Sequence, residues 1–395
     1  MDGSRNLTSN SLGLCLLPSE LIQEILLRLV LPEIIRLRTV CKTLTSVISA
    51  EDFRREYNSR SSSDSWLFVY KKRSPRNSLL HGFTDRSDRW FKLQVAEFLF
   101  PAVPPGEDLY FLTASGNFFL FASNNRREVI AVNLKSNTVK RIPPSPLGPR
   151  GTSSWRRSGL KLIAGPPGSD RFQFLFADLY ENRPTLFVYG SETDTWRSME
   201  AIERETNQPG VTEKGTVFLS VVHRRTESVV IALGPEREKP MVLRPRFDGG
   251  GVEERLAVGF GTADASDQLH VYGDGDMVII RSELVHGRTR KMRMFTCIEL
   301  WRLSVDGRVW ELVSKVPSGL VNRIKKAYGV MTGCLEERDG IIRVVLVSNC
   351  EGLWDLIWLT YDLRMGNWAL VPLPEFRMEG LNMAGIALSS GLSLF

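Results

Sequence analysis

The chain has 395 residues, 43% of them hydrophobic and 24% charged, and a net charge of +6 at pH 7. This length is enough for one large domain or for two to three ordinary ones. The basic residues stand in short, scattered clusters, which disfavours nucleic-acid binding because such proteins concentrate their charge on one face or one helix. No run approaches the roughly 18 apolar residues of a membrane span.

The N-terminal residues 1–13 are expected to be disordered. Residues 12–17 are as apolar as the core of a signal peptide, but they have no basic segment before them and no A-x-A-like cleavage site, and Pro18 and Glu20 follow at once. The cysteines are odd in number and form no C-x-x-C pair, which argues against a disulfide framework and a zinc ribbon. We therefore expect a reducing compartment, the cytoplasm or the nucleus. The cysteines are Cys15, Cys41, Cys297, Cys334 and Cys350.

Residues 17–29 predict an amphipathic helix. Pro18 suits a first helical turn, where its missing N–H costs nothing, and Ser19 is a candidate capping residue. The acidic Glu20 suits the positive end of the helix dipole. The apolar residues that share one broad helical stripe are Leu21, Ile22, Ile25, Leu26 and Leu29.

A second helix is expected after Pro32, which ends the first helix and can begin the next. Apolar residues continue at helical spacing through residues 34–48, while Arg36, Arg38 and Lys42 face elsewhere. Residues 14–57 are thus predicted to be a helical module of two or three short helices. So small a module cannot bury all of these side chains in its own core. Some of its surface needs a partner, either the rest of this chain or another protein.

The same stretch resembles an F-box. The usual Trp after Val40-Cys41-Lys42 is absent and Leu44 takes its place, and the frequent proline after the first helix is shifted to Pro32. The resemblance implies docking to a Skp-type adaptor, which joins a cullin scaffold. The matching residues are Leu17-Pro18, Leu21-Ile22, Ile25-Leu26, Arg28-Leu29, Pro32, Ile34-Ile35, Arg36, Arg38 and Val40-Cys41-Lys42.

The resemblance also implies an adaptor-binding surface within residues 17–44. Periodicity alone does not separate the residues that touch the adaptor from those that pack inside the module. The alternative is a helical hairpin docked on its own chain. The residues at or supporting the predicted surface are Leu17, Pro18, Leu21, Ile22, Ile25, Leu26, Leu29, Pro32, Ile34, Ile35, Val40, Cys41 and Leu44.

The polar, serine-rich residues 58–65 are predicted to be a linker. From Trp66 onward, short runs of β-forming residues bounded by turn residues predict an all-β sandwich, barrel or propeller over residues 66–395. The predicted strands are 66–70, 110–112, 118–121, 129–132, 172–176, 185–189, 216–222, 229–232, 277–280, 341–347 and 356–361.

An internal repeat favours the propeller. A strand, a polar turn and a closing Trp recur at Trp196, Trp310 and Trp368, and a weaker copy ends at Val139. The intervals are 57 residues from Val139 to Trp196, 114 from Trp196 to Trp310 and 58 from Trp310 to Trp368. The doubled interval leaves room for a degenerate copy near residue 253, and Trp90 can mark the first unit. Six units of this kind are typical of a β-propeller with extended loops.

The repeat resembles the kelch repeat, in the divergent form that follows an F-box in many plant proteins. The Tyr…Trp half of that repeat is present in Tyr189/Trp196 and Tyr361/Trp368. The expected fold class is therefore α+β multidomain: a small N-terminal helical F-box module followed by an all-β, kelch-like propeller, most simply of six blades. A two-sheet β domain with tryptophans in its core is the alternative.

Catalytic and metal-binding patterns are missing from the sequence. The histidines, His81, His223, His270 and His286, are isolated and are expected to be surface or packing residues. The aspartates between 264 and 276 lack the spacing of a calcium loop. We expect no catalytic residue, no cofactor and no metal, and therefore a chain that is not an enzyme.

The resemblances together predict the substrate-recognition subunit of an SCF-type cullin-RING ubiquitin ligase. Its helical module would bind the Skp-type adaptor, and its propeller would hold an unidentified target protein. Inter-strand loops at residues 143–157, 204–213 and 234–254 are the candidate target-binding loops. A β-propeller enzyme or ligand-binding protein with a helical cap is one alternative, and an F-box scaffold that does not promote degradation is another.

Overall fold

The computed structural model describes residues 17–61, 64–72, 79–93, 95, 99, 102–104, 107–166, 169–203, 215–223, 227–235, 237–248, 261–262, 268–286, 291–375 and 382–394. The predicted disordered stretch, residues 1–13, lies outside them. The chain divides into two compact units. One joins the N-terminal residues up to Ser65 to the C-terminal residues from Ser390, and the other is Trp66–Ser389.

The first unit is helical and contains four helices rather than the two or three expected. The last helix takes in residues 58–61, which composition assigned to a linker, because Phe53 and Tyr57 are buried and leave Ser59 and Arg60 on the exposed side. The first strand already begins at Ser65. The helices are α1 Ser19–Leu26, α2 Leu31–Leu37, α3 Lys42–Ser49 and α4 Glu51–Ser61.

The start of α1 differs in detail from the expectation. Pro18 is the residue that precedes the helix, and its carbonyl accepts the N–H groups of Leu21 and Ile22 at 3.1 Å each. Ser19 does not cap; it is the first helical residue, and its hydroxyl donates to the Glu20 carboxylate at 3.0 Å. Backbone N–H bonding, followed by this hydroxyl, lowers the pKa of Glu20, as expected for a carboxylate in a first helical turn.

Pro32 and Cys41 act at the starts of α2 and α3. Pro32 is the second residue of α2, and the Glu33 carboxylate accepts the N–H of Val30 at 3.4 Å just before this helix. Cys41 precedes α3, and its Sγ accepts the N–H of Leu44 at 3.5 Å. Each contact satisfies a backbone donor that the helix itself leaves open.

The core of the helical unit includes a residue from the far end of the chain. Leu394 lies in the same cluster as residues of all four helices, and Asn58 holds its backbone from both sides. Asn58 Oδ1 accepts the N–H of Leu394 at 2.6 Å, and Asn58 Nδ2 donates to the Leu394 carbonyl at 3.4 Å. The buried cluster is Ile22, Leu26, Leu27, Ile34, Leu44, Ile48, Phe53, Tyr57 and Leu394.

The second unit is built of six sheets whose strands are antiparallel except for two short ones, Ile202–Glu203 and Arg246–Phe247, which pair in parallel with their neighbours. The strands predicted from β-forming runs are all present. In chain order they are β1 Ser65–Lys72, β2 Leu79–Thr84, β3 Phe91–Leu93, β4 Leu109–Ser115, β5 Phe118–Ser123, β6 Val129–Asn133, β7 Thr138–Ile142, β8 Leu160–Ala164, β9 Phe172–Tyr180, β10 Arg183–Gly190, β11 Thr195–Glu200, β12 Ile202–Glu203, β13 Val217–His223 and β14 Glu227–Leu233. They continue as β15 Met241–Leu243, β16 Arg246–Phe247, β17 Gly261–Thr262, β18 Gln268–Gly273, β19 Asp276–His286, β20 Lys291–Leu303, β21 Val309–Lys315, β22 Ala327–Tyr328, β23 Val330–Arg338, β24 Ile341–Cys350, β25 Leu353–Asp362, β26 Asn367–Val371 and β27 Asn382–Ser390. A short helix, α5 Ser318–Ile324, lies between β21 and β22.

The six sheets are the blades of a six-bladed propeller, as the repeat predicted. The first blade has the order β27-β1-β2-β3, so the C-terminal strand closes the ring by joining the N-terminal one. The second, third and fourth blades are β4-β5-β6-β7, β8-β9-β10-β11 and β13-β14-β15-β12. The fifth blade is β18-β19-β20-β21-β16, with β22 paired to β20, and the sixth is β17-β23-β24-β25-β26.

The turn-then-Trp repeats are the hairpins between the third and fourth strands of their blades. Tyr189 pairs with Trp196, Leu303 with Trp310 and Tyr361 with Trp368 across these hairpins, and Val132 pairs with Val139 in the weaker copy. The fourth blade has no such hairpin among its described strands. Its outermost strand is β12, which arrives from upstream and pairs parallel with β15. Residue 253 itself lies outside the described residues.

Three tryptophans, Trp90, Trp196 and Trp368, bond their blade to the one before it. Trp196 Nε1 donates to the Pro143 carbonyl at 2.8 Å, and Trp368 Nε1 donates to Ser314 Oγ at 3.0 Å. Trp90, just before β3, donates in the same way to the Pro374 carbonyl at 3.2 Å, which confirms it as the marker of the first unit. The aromatic side chain thus fills the space between blades and also bonds across it.

The first strands of neighbouring blades run close together around the axis, where β4 contacts β8 and β18 contacts both β13 and β23. Glycines permit this approach. A Cβ on Gly385 of β27 would collide with the Phe111 carbonyl of β4, and Gly385 has a φ of +133°, which side-chain-bearing residues rarely adopt. A Cβ on Gly333 of β23 would lie 2.9 Å from Val271 Cγ2 of β18.

Candidate binding surfaces

The predicted adaptor-binding residues fall into two sets in the helical unit. The first set builds the unit itself: Ile22, Leu26, Ile34 and Leu44 are buried, and Leu29, Pro32 and Cys41 are partly buried. The second set is exposed. Its members are Leu17, Pro18, Leu21, Ile25, Ile35 and Val40.

The exposed set comes from the first half of the unit. Leu21 is 52% exposed and Ile25 is 39% exposed, and their i,i+4 spacing places them on one face of α1. Ile35 lies on α2, and Val40, which is 67% exposed, lies between α2 and α3. Large aliphatic side chains left in water at this density mark a surface that gains free energy when another molecule covers it.

Helix α4 offers a different surface. Its exposed side chains are charged or polar and pair locally, as in Arg60 with Glu56 at 2.7 Å and Arg55 with Glu51 at 3.4 Å. No large hydrophobic side chain of α4 is exposed among its described residues. The apolar surface is therefore confined to α1, α2 and the residues beside them.

Leu44, which stands where an F-box usually has Trp, is 3% exposed and packs inside the unit. It thus contributes to the core of this chain and not to its exposed apolar surface. Sequence periodicity could not show this, because the inward and outward positions of such short helices differ only through their packing against one another.

A second candidate surface is a cavity in the propeller, about 490 Å³ in volume. It lies where the innermost strands β4, β18 and β23 are close together, and residues 152–158, from the candidate loop 143–157, form one wall. Residues 204–213 lie outside the described residues, and residues 234–254 are described only in part. The lining residues are Tyr110, Thr152, Ser153, Trp155, Arg156, Arg157, Ser158, His270, Val271, Tyr272, Thr332 and Gly333.

The wall formed by this loop is held by an arginine. Arg150 donates to Asp178 at 2.5 Å and to the Ser154 carbonyl at 2.9 Å, and its guanidinium lies 5.0 Å from the centre of the Trp155 ring. Arg157 Nη2 donates to Tyr110 Oη at 3.3 Å and to the Phe111 carbonyl at 3.4 Å. These bonds fix Trp155 and Arg157 against the propeller before any ligand binds.

Several buried polar atoms at this cavity have no hydrogen-bond partner among the described residues: Trp155 Nε1, Arg157 Nε and His270 Nδ1. His270 is 1% exposed, and its other ring nitrogen lies 3.2 Å from Gln268 Oε1. Burial, followed by the charge of Arg281, lowers the pKa of His270 to about 4, so its ring is neutral at pH 7.

Among the other described histidines and thiols, His81 and Cys334 are kept uncharged at neutral pH by burial. Burial lowers the pKa of His81 to about 4, and His286 is exposed, while nothing is described of the His223 side chain. Burial raises the pKa of Cys334 to about 12, so this thiol is protonated at neutral pH. Within the described residues, no group of His, Cys, Asp and Glu side chains could hold a metal ion, and no helix is long and apolar enough to cross a bilayer.

Residues 14–56 match the family model described as "F-box domain". An F-box implies binding to an adaptor of the Skp type. No curated protein matches the sequence of the chain significantly.

Solved structures similar to this chain include a nidogen/laminin complex, with a TM-score of 0.41, 8% identity, and coverage of 83% of this chain and 99% of that chain. Another is TolB from Acinetobacter baumannii, with a TM-score of 0.33, 9% identity, and coverage of 88% of this chain and 72% of that chain. A third is apo AztD from Citrobacter koseri, with a TM-score of 0.31, 10% identity, and coverage of 82% of this chain and 98% of that chain. At these scores the likeness carries no conclusion about function.

Proposed function

We propose that this chain is the substrate-recognition subunit of an SCF-type ubiquitin ligase. Its helical unit binds a Skp-type adaptor and through it a cullin scaffold, and its propeller binds a protein to be ubiquitinated. The observation that carries the proposal is the exposed apolar set of α1 and α2, which lies within the F-box match. The complex would operate in the cytoplasm or the nucleus.

The energetics of the apolar surface support adaptor docking. Complete burial of one Leu or Ile side chain contributes about 1.5–3 kcal/mol, and these side chains are only partly exposed, so each can contribute roughly half of that. Four or five such contributions sum to about 3–7.5 kcal/mol, which reaches the lower part of the roughly 4–15 kcal/mol lost on association. The exposed set offers that number, in a unit whose own core is already complete without them.

In this proposal the chain does no bond chemistry. The propeller raises the effective concentration of target lysines near the ubiquitin-charged enzyme that the partner complex delivers. We further propose that the blades are divergent kelch repeats of the plant type. The cross-strand Tyr189/Trp196 and Tyr361/Trp368 pairs, at equivalent places in two blades, support this.

A pull-down with purified adaptor–cullin complex tests the first step. The double variant Leu21→Asp/Ile25→Asp should lose adaptor binding at least tenfold, because two carboxylates would be desolvated in the interface. The matched control is Leu353→Asp/Met365→Asp, which changes the first residue of β25 and a residue of the turn that follows this strand, 64% and 76% exposed. Circular dichroism checks that both variants stay folded. Full adaptor binding by the first variant would refute the interface.

A reconstituted ligase tests the second step. Wild-type chain in the complete complex should support ubiquitination of a bound protein or of the chain itself, and the Leu21→Asp/Ile25→Asp variant should not. Adaptor binding without any ubiquitin transfer would instead favour a scaffold that does not promote degradation.

A further inference from the structure

The cavity at the start of the innermost strands has a one-sided charge. Arg156 and Arg157 line it, and no acidic side chain does among its described lining residues. Arg156 also lines the smaller neighbouring cavity of about 210 Å³, but there Asp178 offsets Arg150. Because salt and water screen like charges poorly in a concave site, the larger cavity is expected to be electropositive.

The unsatisfied polar atoms of the same cavity are mostly donors. Trp155 Nε1 and Arg157 Nε can only donate, and Trp155 is 9% exposed. His270 Nδ1 is an acceptor, because the neutral ring must donate from Nε2 to bond Gln268 Oε1. Leaving such groups buried without a partner costs about 1–3 kcal/mol each, so native proteins normally pair them. The two donors, Trp155 Nε1 and Arg157 Nε, therefore favour a ligand that supplies acceptors.

The geometry of Arg157 narrows the chemistry of that ligand. Its Nη2 is already bonded to Tyr110 and to the Phe111 carbonyl, which orients the guanidinium, and its Nε has no hydrogen-bond partner among the described residues. The positive charge and the remaining N–H favour an anionic oxygen over a neutral acceptor, because charge-assisted hydrogen bonds are the stronger ones. The hydroxyls of Ser153 and Thr332 add further donors at the wall.

We infer that this cavity binds an oxyanion, a carboxylate or a phosphate monoester, presented by a segment of the target protein. The inference deepens the proposed function and rests on it, since it names what the propeller would recognise. A protein segment fits because an exposed inter-blade loop carrying Ser153 and Arg156 borders the cavity, and such loops form the binding faces of propellers. The volume is suited to one side chain and its flanking residues.

The test uses the full chain, purified with its adaptor, on arrays of 12-residue peptides with randomised flanks. The central residue is Glu, Asp, phosphoserine, Gln, Asn or Ser. We expect the acidic or the phosphorylated pool to retain at least threefold more protein than its neutral counterpart, and the two arms distinguish a carboxylate from a phosphate. Equal retention of charged and neutral pools would overturn the inference.

Two variants locate the binding. Ser153→Asp places a carboxylate at the wall, on an exposed residue, and should abolish the preference, whereas the neutral Ser153→Asn should keep it. Arg156→Ala should weaken it, and Arg171→Ala, which removes an exposed arginine paired with Glu192 in the same blade as β8, should not. A preference that survives both Ser153→Asp and Arg156→Ala lies elsewhere, and this too would overturn the inference.

The adaptor pull-down on the same preparations separates the two levels of the proposal. Adaptor binding together with equal peptide retention would overturn the oxyanion site alone. Loss of adaptor binding by the wild-type chain would contradict the ligase proposal, whatever the peptides show.

Discussion

The helical unit packs its four helices around one hydrophobic cluster and leaves Leu21, Ile25 and Val40 exposed to water. In the propeller, by contrast, each described hydrophobic cluster lies between two neighbouring blades. A blade has two apolar faces, and each is covered by a neighbouring blade. Closing the ring therefore buries the apolar surface of the blades. A small bundle has no such closure. Its outward face stays available, and this difference supports the proposal that the helices bind a partner by apolar contact and that the propeller recognises a target by polar contact.

The largest expected effect tests the closure of the ring. Trp358 is fully buried in the cluster between the sixth and first blades, where its ring centre lies 5.8 Å from that of Phe83. Trp358→Ala should lower the free energy of unfolding of the propeller by about 3–5 kcal/mol, because it leaves a large cavity. Denaturant unfolding followed by tryptophan fluorescence measures this.

The same variant should leave adaptor binding unchanged, since the helical unit has its own core. The control is Trp354→Ala, which truncates a partly buried tryptophan of the same strand at its more exposed end and should cost clearly less. If Trp358→Ala lowered the free energy of unfolding by less than about 1 kcal/mol, packing between the sixth and first blades would contribute little to the stability of the propeller.

The next effect is in the helical unit. Leu394 is 5% exposed in the core of the four helices, so Leu394→Ala should cost about 2–4 kcal/mol there. Amide hydrogen exchange should rise in residues 19–60 and stay unchanged in blades two to five. The control Leu353→Ala truncates an exposed leucine. Unchanged exchange in the helices would contradict a structural role for the C-terminal segment.

A smaller effect depends on pH and concerns the propeller. His270 has a pKa of about 4 when folded and about 6.5 when unfolded, so the unfolded chain binds the extra proton between these values. The stability that this depressed pKa supports is complete above pH 6.5 and is lost as the pH falls toward 4. Between pH 7 and pH 5 the loss is about 2 kcal/mol.

Urea unfolding at pH 7 and pH 5 measures this contribution as the difference between wild type and His270→Gln. The variant should be less sensitive to pH by about that amount, while the control His286→Gln, at an exposed position, should follow wild type. An identical pH response of wild type and His270→Gln would contradict a neutral, buried His270.

The smallest expected effect concerns the hydrogen bonds that tryptophans donate from one blade to the next. A double-mutant cycle of Trp368→Phe and Ser314→Ala should give a coupling energy of about 1 kcal/mol, the value of one hydrogen bond between part-buried neutral groups. Thermal unfolding of the four proteins measures it. A parallel cycle of Trp368→Phe with the unrelated Ser153→Ala should give no coupling energy. Equal coupling energies in the two cycles would show that the hydrogen bond between Trp368 and Ser314 does not stabilise the propeller specifically.

Much of the propeller could be predicted because the middle strands of its blades are made of strong β-formers and its hairpins repeat. The inner strands β4 and β13 were predicted, whereas the strands that escaped prediction include β8, β18, β23 and β27 on the inner side of their blades. Three of these carry Gly273, Gly333 or Gly385, because neighbouring strands approach too closely there for a Cβ. Glycine has a low β propensity. The glycines that allow neighbouring blades to pack closely therefore make their own strands difficult to predict from the sequence.

The fourth blade shows another limit of periodicity. The doubled interval between Trp196 and Trp310 indicated a hidden repeat, and a blade is indeed present there. Its outermost strand, however, is the two-residue β12 from upstream, paired in parallel. Such a short strand has no sequence pattern of its own, since it is held by pairing with β15 and not by its propensity.

What the sequence determined by itself was the local pattern: amphipathic helices with Pro32 in the first turn of the second, an F-box-like spacing of apolar residues, and hairpins that end in Trp. Only the tertiary structure decided which apolar residues face outward, that Leu394 completes the helical core, and that Arg157 and His270 share one cavity. The reason is separation along the chain. Periodicity reports neighbours within a few residues, whereas burial and the electrostatics of a site depend on side chains that meet only after the chain has folded.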